Sequence, residues 1–318
     1  MPRISITRQL VVPVVERAKQ SYDLWLNQDD HILTADELIT RSFDSDALMI
    51  CHSEILSAEV VAQFSDRLKI VANYSVGVDH CDLDALKARG IVVTNTPDVL
   101  SDATAEIALL LLLGASRRAF EGDQMLRRGT WTHWAPVEMN GIQVTGKKLG
   151  IVGMGRVGQV VAQRARGFDM EIHYSNRSRL PAELEKGAIY HDSVESLFNT
   201  VDMISLNCPA TPESENMINA ESIGWMRDGV VFVNTARGKL VDEGALIKAL
   251  QSGKIAAAGL DVFQTEPGGN PAFATLPNVF MLPHLGSSTR ETRKAMGDRA
   301  LDNLDAFFAG EAPRDRLV

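Results

Sequence analysis

Along this chain, short apolar runs alternate with segments whose apolar positions recur every three to four residues. The runs "ALMICH" (47–52), "KIVANYS" (69–75) and "IVVTNTP" (91–97) are of strand length and nearly continuous in hydrophobicity, as strands covered on both faces must be. Between the last two, "DLDALKARG" reads as a helix closed by Gly90. "DVLSDATAEIALLLLLGASRR" then predicts a long buried helix that begins near Ser101 or Asp102, either of which could cap it. A second series follows from Lys148, with six strand candidates: "KLGIVGMG", "MEIHYSN", "VDMISLNCP", "GVVFVNTARG", "AAAGLDVF" and "NVFMLPH". The tail "STRETRKAMGDRALDNLDAFFAG" is an amphipathic helix too late to extend that sheet, so it is expected to return to the N-terminal part.

The alternation of strand and helix predicts an α/β protein of two domains with parallel sheets, Rossmann-like or flavodoxin-like. Residues 1–98 with 288–318 form one discontinuous domain in this reading and 99–287 the other, with Pro97 and the Pro283 to Gly286 region as hinges. The length of 318 residues provides cores for both.

Composition removes several function classes. A net charge of −9 argues against broad binding to nucleic acid or an anionic membrane, which would need a dominant basic face. The longest apolar run, Ile107 to Leu113, is far too short to cross a bilayer, and no targeting segment is visible, so a cytoplasmic location is expected. Cys51, Cys81 and Cys208 lie far apart with no CxxC pair, which predicts free thiols. The histidines show no common metal-ligand spacing, so no metal is expected.

The chemistry concentrates in the second series. Gly153, Gly155 and Gly158 stand in GxGxxG spacing after an apolar strand and before a helical pattern from Arg156 to Arg166. The first glycine turns tightly, the second admits a pyrophosphate to the backbone, the third lets helix and strand pack, and the helix N-terminus faces the anion. A dinucleotide site follows. Enzymes that take NAD place a carboxylate about 20 residues beyond the glycines, where it accepts from the ribose hydroxyls. Here that place holds Asn176, Arg177, Ser178 and Arg179, neutral and cationic donors suited to a 2′-phosphate, so NADPH is expected over NADH.

Three further residues lie just beyond predicted strand ends, where open parallel sheets bind ligands: Arg237, Glu266 and His284. A guanidinium can grip a carboxylate by two parallel hydrogen bonds. An imidazole can give a proton to a carbonyl oxygen as hydride arrives, and a neighbouring carboxylate can hold the ring and favour its charged form.

The stretches from "ANYSVGVDHCDLDALKARGIVVTNTPDVL" through "GIVGMGRVG", "NTARGKLVDEGAL" and "GKIAAAGLDVF" to "MLPHLGSST" resemble the D-isomer-specific 2-hydroxyacid dehydrogenases, most closely the glyoxylate/hydroxypyruvate reductases. The resemblance runs from about Ala72 to about Arg290. It implies that Arg237, Glu266 and His284 are catalytic and that Val76 and Gly77 offer backbone amides to the substrate carboxylate. It implies cofactor contacts at Thr104, Met154, Arg156, Val157, Cys208, Pro209, Thr235, Ala236 and Gly286, with Asp261 at the nicotinamide amide. "TWTHWAP" resembles the tryptophan-bearing dimer arm of the hydroxypyruvate reductases, which predicts a homodimer with Trp134 or Trp131 near a neighbouring subunit's substrate pocket. His52, a further substrate-side candidate, departs from the apolar residue of that family.

The expected activity is reduction of small 2-oxo acids such as glyoxylate and hydroxypyruvate. Two alternatives stay open: an NAD-dependent dehydrogenase of 3-phosphoglycerate or another D-2-hydroxy acid, and a nucleotide-sensing scaffold like the C-terminal-binding corepressors. A turnover assay separates the last from both enzymes.

Overall fold

A computed structural model describes residues 1–318. The chain forms two compact units, Met1–Leu100 with Ser288–Val318, and Ser101–Ser287. No helix is long and apolar enough to cross a membrane, and the three cysteines are free thiols.

In the first unit, β1 (Arg3–Ile6), β2 (Asp23–Leu26), β3 (Ala47–Ile50), β4 (Ile70–Asn73) and β5 (Val92–Thr94) form a parallel sheet in the order β2-β1-β3-β4-β5. This is the flavodoxin-like winding. All four residues of β3 and of β4 are buried, as their continuous apolar runs require. The sequence pattern missed β1 and β2. "RISI" alternates apolar and polar residues because the buried Ser5 hydroxyl is met by Ser45 Oγ at 2.7 Å. "DLWL" lies on the sheet edge and is nowhere fully buried.

The C-terminal helix Arg290–Phe308, capped by Thr289, packs in this first unit. Its Met296, Ala300, Leu301 and Leu304 share a core with Ile4, Val14 and Ala18. Gly297 sets the approach to the N-terminal helix Val12–Ser21, since a Cβ there would stand 2.4 Å from a Val14 methyl.

The second unit carries β6 (Lys148–Val152), β7 (Glu171–Ser175), β8 (Ile189–His191), β9 (Met203–Leu206), β10 (Val230–Asn234), β11 (Ile255–Leu260) and β12 (Val279–Met281). All run parallel in the order β12-β11-β10-β9-β6-β7-β8, which is Rossmann winding with an added strand beyond β11. Six of these strands are legible in the sequence; β8 is not, being three residues long at an edge with only His191 buried. The helix Ser101–Ser116 lies across β10, β11 and β12 and buries Ala105, Ala108, Leu111 and Leu112, which explains its almost uninterrupted hydrophobicity.

The tight approach at Gly297 is testable. Gly297→Ala should cost about 1–3 kcal/mol by overpacking. In a Val14→Ala background, where the clashing methyls are gone, the same change should cost little, as denaturant midpoints would show. An equal loss in both backgrounds would place the strain elsewhere.

Candidate active site

The glycine loop is built as its spacing demands. Gly153 follows β6 at φ +89, and a Cβ on it would lie 2.6 Å from the Cys208 amide nitrogen. Gly158 brings the helix Arg156–Ala165 onto the strand, for a Cβ there would stand 2.5 Å from the Gly153 carbonyl. Gly155 differs, since a Cβ would meet nothing within 4 Å. It opens the ten-residue helix and leaves room for a phosphate against the N-terminal amides. Met154 is buried, and its amide donates to Asn176 Oδ1 at 2.7 Å, so Asn176 fastens the loop to the end of β7.

The four residues after β7 divide in their duties. Arg177 and Ser178 are exposed. Arg179 pairs with the buried Glu185 through Nε at 2.7 Å and Nη2 at 3.1 Å, and the Tyr174 hydroxyl donates to the same carboxylate at 2.6 Å. Its side chain stays 65% exposed, so it remains a 2′-phosphate candidate beside Arg177 and Ser178. The i to i+6 spacing of Arg179 and Glu185 gave no helical or strand signal, so sequence could not reveal the pair.

Other residues named for the dinucleotide gather on this unit as well. A Cβ at Gly286 would lie 3.5 Å from Thr104, a buried residue in the first turn of its helix. Burial pushes the Cys208 thiol up to about 11, so it serves as packing for Gly153 rather than as a nucleophile. Pro209 follows it in the turn after β9, and Thr235 and Ala236 are buried in the turn after β10. Thr235 Oγ1 is buried with no hydrogen-bond partner in the chain. An orphaned hydroxyl and an open cradle at Gly155 are what a bound dinucleotide would complete.

The three residues expected to react, Arg237, Glu266 and His284, follow three adjacent strands, β10, β11 and β12. Asn234, a residue the sequence reading passed over, ends β10 and is buried. Its Oδ1 accepts from the Ala236 amide at 2.9 Å and its Nδ2 donates to the Arg237 carbonyl at 2.9 Å. The signal available was a polar residue closing a wholly buried strand, which must find partners inside. Arg237 itself donates from Nη1 to the Ala236 carbonyl at 2.8 Å.

After β11, Asp261 receives three successive amides. Its carbonyl accepts from His284 at 2.9 Å, and its carboxylate oxygens from Leu285 at 2.7 Å and Gly286 at 2.8 Å. This cage holds His284 at φ +55, a left-handed conformation that costs a non-glycine residue roughly 1–2 kcal/mol. Burial pushes the Asp261 carboxyl up to about 6, against the pull of the amides and the nearby imidazole. The residue assigned to the nicotinamide is therefore also the support of the histidine turn.

His284 Nδ1 meets Glu266 Oε2 at 2.5 Å, and Glu266 Oε1 accepts from the Phe263 amide at 2.8 Å. An ionised carboxylate only accepts, so in this pair Nδ1 carries the hydrogen. Both side chains remain partly open to solvent.

A family model described as D-isomer specific 2-hydroxyacid dehydrogenase, NAD binding domain, matches residues 109–286. The chain belongs to this family. It is 44% identical over 310 residues to a glycerate dehydrogenase of Hyphomicrobium methylovorum, covering 97% of this chain and 96% of that one. A glyoxylate reductase of Thermococcus kodakarensis is 44% identical over 98% of this chain and 95% of its own. Among solved structures, an NADPH-dependent glyoxylate/hydroxypyruvate reductase from Sinorhizobium meliloti, in complex with NADP and malonate, superposes with a TM-score of 0.90 at 33% identity, covering 100% of this chain and 97% of that one. The protein is thus a 2-hydroxyacid dehydrogenase with a nicotinamide dinucleotide as cofactor.

In the first unit, the loop after β4 is prepared in a comparable way. The carbonyls of Val76 and Gly77 are held by Asn95 Nδ2 at 2.9 Å and Asn73 Nδ2 at 2.8 Å. His52 lies in the turn after β3. Trp131 and Trp134 lie on the second unit and are 54% and 76% exposed.

The Asp261 cage makes a direct prediction. Asp261→Asn turns one acceptor into a donor facing an N–H, which costs roughly 1–3 kcal/mol and frees the histidine turn. Turnover should fall at least about tenfold. The wild type should also lose activity as its carboxyl takes up a proton below about 6, a step the asparagine variant lacks. Unchanged turnover in the variant would show that the cage does not serve the reaction.

Proposed function

We propose that the protein reduces short 2-oxo acids, glyoxylate and hydroxypyruvate first among them, with NADPH as reductant. The observation that carries this reading is the His284–Glu266 contact at 2.5 Å, set beside the strand end that presents Arg237. The names of the relatives support the substrate class.

Arg237 grips the substrate carboxylate in a planar two-point contact. His284 Nε2 gives its proton to the carbonyl oxygen, while Glu266 holds the ring's tautomer and balances its charge. When bound, the dinucleotide supplies a hydride to the carbonyl carbon. Hydride and proton together turn the 2-oxo acid into a 2-hydroxy acid, and the reverse direction uses His284 as base. Thr104, Gly153, Gly155, Arg156, Val157, Gly158, Cys208, Pro209, Thr235, Ala236 and Gly286 would hold the dinucleotide, and Asp261 would meet its nicotinamide amide.

The coenzyme preference rests on Arg177, Ser178 and Arg179, with no carboxylate at Asn176 to repel a 2′-phosphate. Assays of a panel of 2-oxo acids with NADPH and NADH, followed by nicotinamide absorbance, test substrate and coenzyme together. Asn176→Asp with Arg177→Ala should move kcat/KM from NADPH towards NADH by about tenfold or more. The introduced carboxylate can still accept from the Met154 amide, so the loop survives the change. A wild type that prefers NADH would remove the phosphate reading and favour the NAD-linked alternative.

The assembly belongs to the same proposal. Phe120, Leu126, Trp131, Trp134 and Val137 all expose 46% or more of their surface within one segment. Large aromatics so placed suit an interface with a second copy of the chain, with Trp134 closing the partner's substrate pocket against longer acids. Light scattering should show a dimer that Trp134→Ala weakens or whose range it widens. A monomeric wild type would overturn the arrangement.

A further inference from the structure

Glu243 stands outside the groups that the proposed reaction uses. It begins the helix Glu243–Ser252, just after the capping Asp242, and is 8% exposed. A carboxylate so buried is costly unless hydrogen bonds replace its water. Its Oε1 accepts from the Gln264 amide at 2.9 Å, and its Oε2 accepts from Asn270 Nδ2 at 2.9 Å. These two donors bracket Glu266, one on each side in sequence. The Gln264 side chain fastens the same flank again by donating to the Val241 carbonyl at 2.7 Å. On the other flank, Asn270 Oδ1 caps the short helix Pro271–Thr275 through the Ala272 amide at 3.0 Å. Within the clamped loop, Glu266 turns back so that one oxygen meets the Phe263 amide and the other meets His284.

We propose that Glu243 is a positioning residue that closes this loop at both ends and so aims Glu266 at His284 Nδ1. The inference rests on the reading that the His284–Glu266 pair moves the reaction's proton. Charge-assisted hydrogen bonds are directional and strong enough to fix a glycine-containing loop that would otherwise sample many conformations. A glutamine in place of Glu243 keeps the size of the side chain and can accept from only one of the two donors, because its amide nitrogen would face the other.

Four proteins test the proposal: wild type, Glu243→Gln, Glu266→Gln, and the double variant Glu243→Gln/Asn270→Asp. The double variant reverses the polarity of one arm, with the introduced amide now donating to the introduced carboxylate, and so restores both contacts. For each, kcat, KM, NADPH affinity and the pH profile of glyoxylate reduction are measured. Glu266→Gln should lower kcat and change the pH profile of reduction, since a neutral partner no longer balances the ring's charge as it acts as acid. Glu243→Gln should follow it, with kcat down at least about fivefold and NADPH affinity within about twofold of wild type. The double variant should recover most of the rate and the wild-type profile. A Glu243→Gln protein with normal kcat and profile, or a folded double variant that stays impaired, overturns the role of Glu243. Should Glu243→Gln fail to fold, the double variant decides alone. If Glu266→Gln itself changes neither rate nor profile, the reading of the proton-moving pair falls, and the Glu243 inference falls with it.

Discussion

The parallel ladder joining β10, β11 and β12 does not stop where the strands stop. It continues as the Asp261 amide donating to the Asn234 carbonyl at 3.0 Å and the His284 amide donating to the Asp261 carbonyl at 2.9 Å. The two carboxylate oxygens of Asp261 then take the next two amides. Because register along a parallel sheet is fixed by these bonds, the residues that follow the three strands emerge at one edge and at one height. Arg237, the Glu266 loop and His284 are placed by that continuation.

Three buried polar residues of the second unit support this edge. Asn234 shapes the Arg237 turn, Glu243 clamps the loop of Glu266, and Asp261 holds His284 in a left-handed conformation. Each is buried, and each accepts from backbone or side-chain amide donors. The side chains of His284 and Glu266 remain partly open while these supports are enclosed. This is the division expected of a site that must exchange substrate and still hold its geometry.

The fold was legible where apolar runs are continuous, as at β3, β4, β9 and β10. It was illegible at β1, whose apolar run is broken by the buried Ser5, and at β2 and β8, short edge strands that bury too little to leave a pattern. The glycine loop could be read because backbone geometry and close packing restrict Gly153 and Gly158 to glycine, while Gly155 leaves the helix N-terminus open. The residues beyond strand ends could be read because strand ends are where chemistry lies in such sheets. What sequence could not show was which polar residues are spent on structure. The pairing of Arg179 with Glu185 and the acceptance by Glu243 from Gln264 and Asn270 leave no spacing signal in the chain.

We propose that one edge of the second sheet gives a proton to a 2-oxo acid while the dinucleotide gives it a hydride. A single-turnover reaction of glyoxylate with NADPH deuterated at both C4 positions, read by NMR of the product, is the decisive experiment. The expected product is glycolate carrying one deuterium on C2, formed in step with the loss of nicotinamide absorbance. Glycolate without deuterium, or no consumption of NADPH by any short 2-oxo acid, would overturn the proposal.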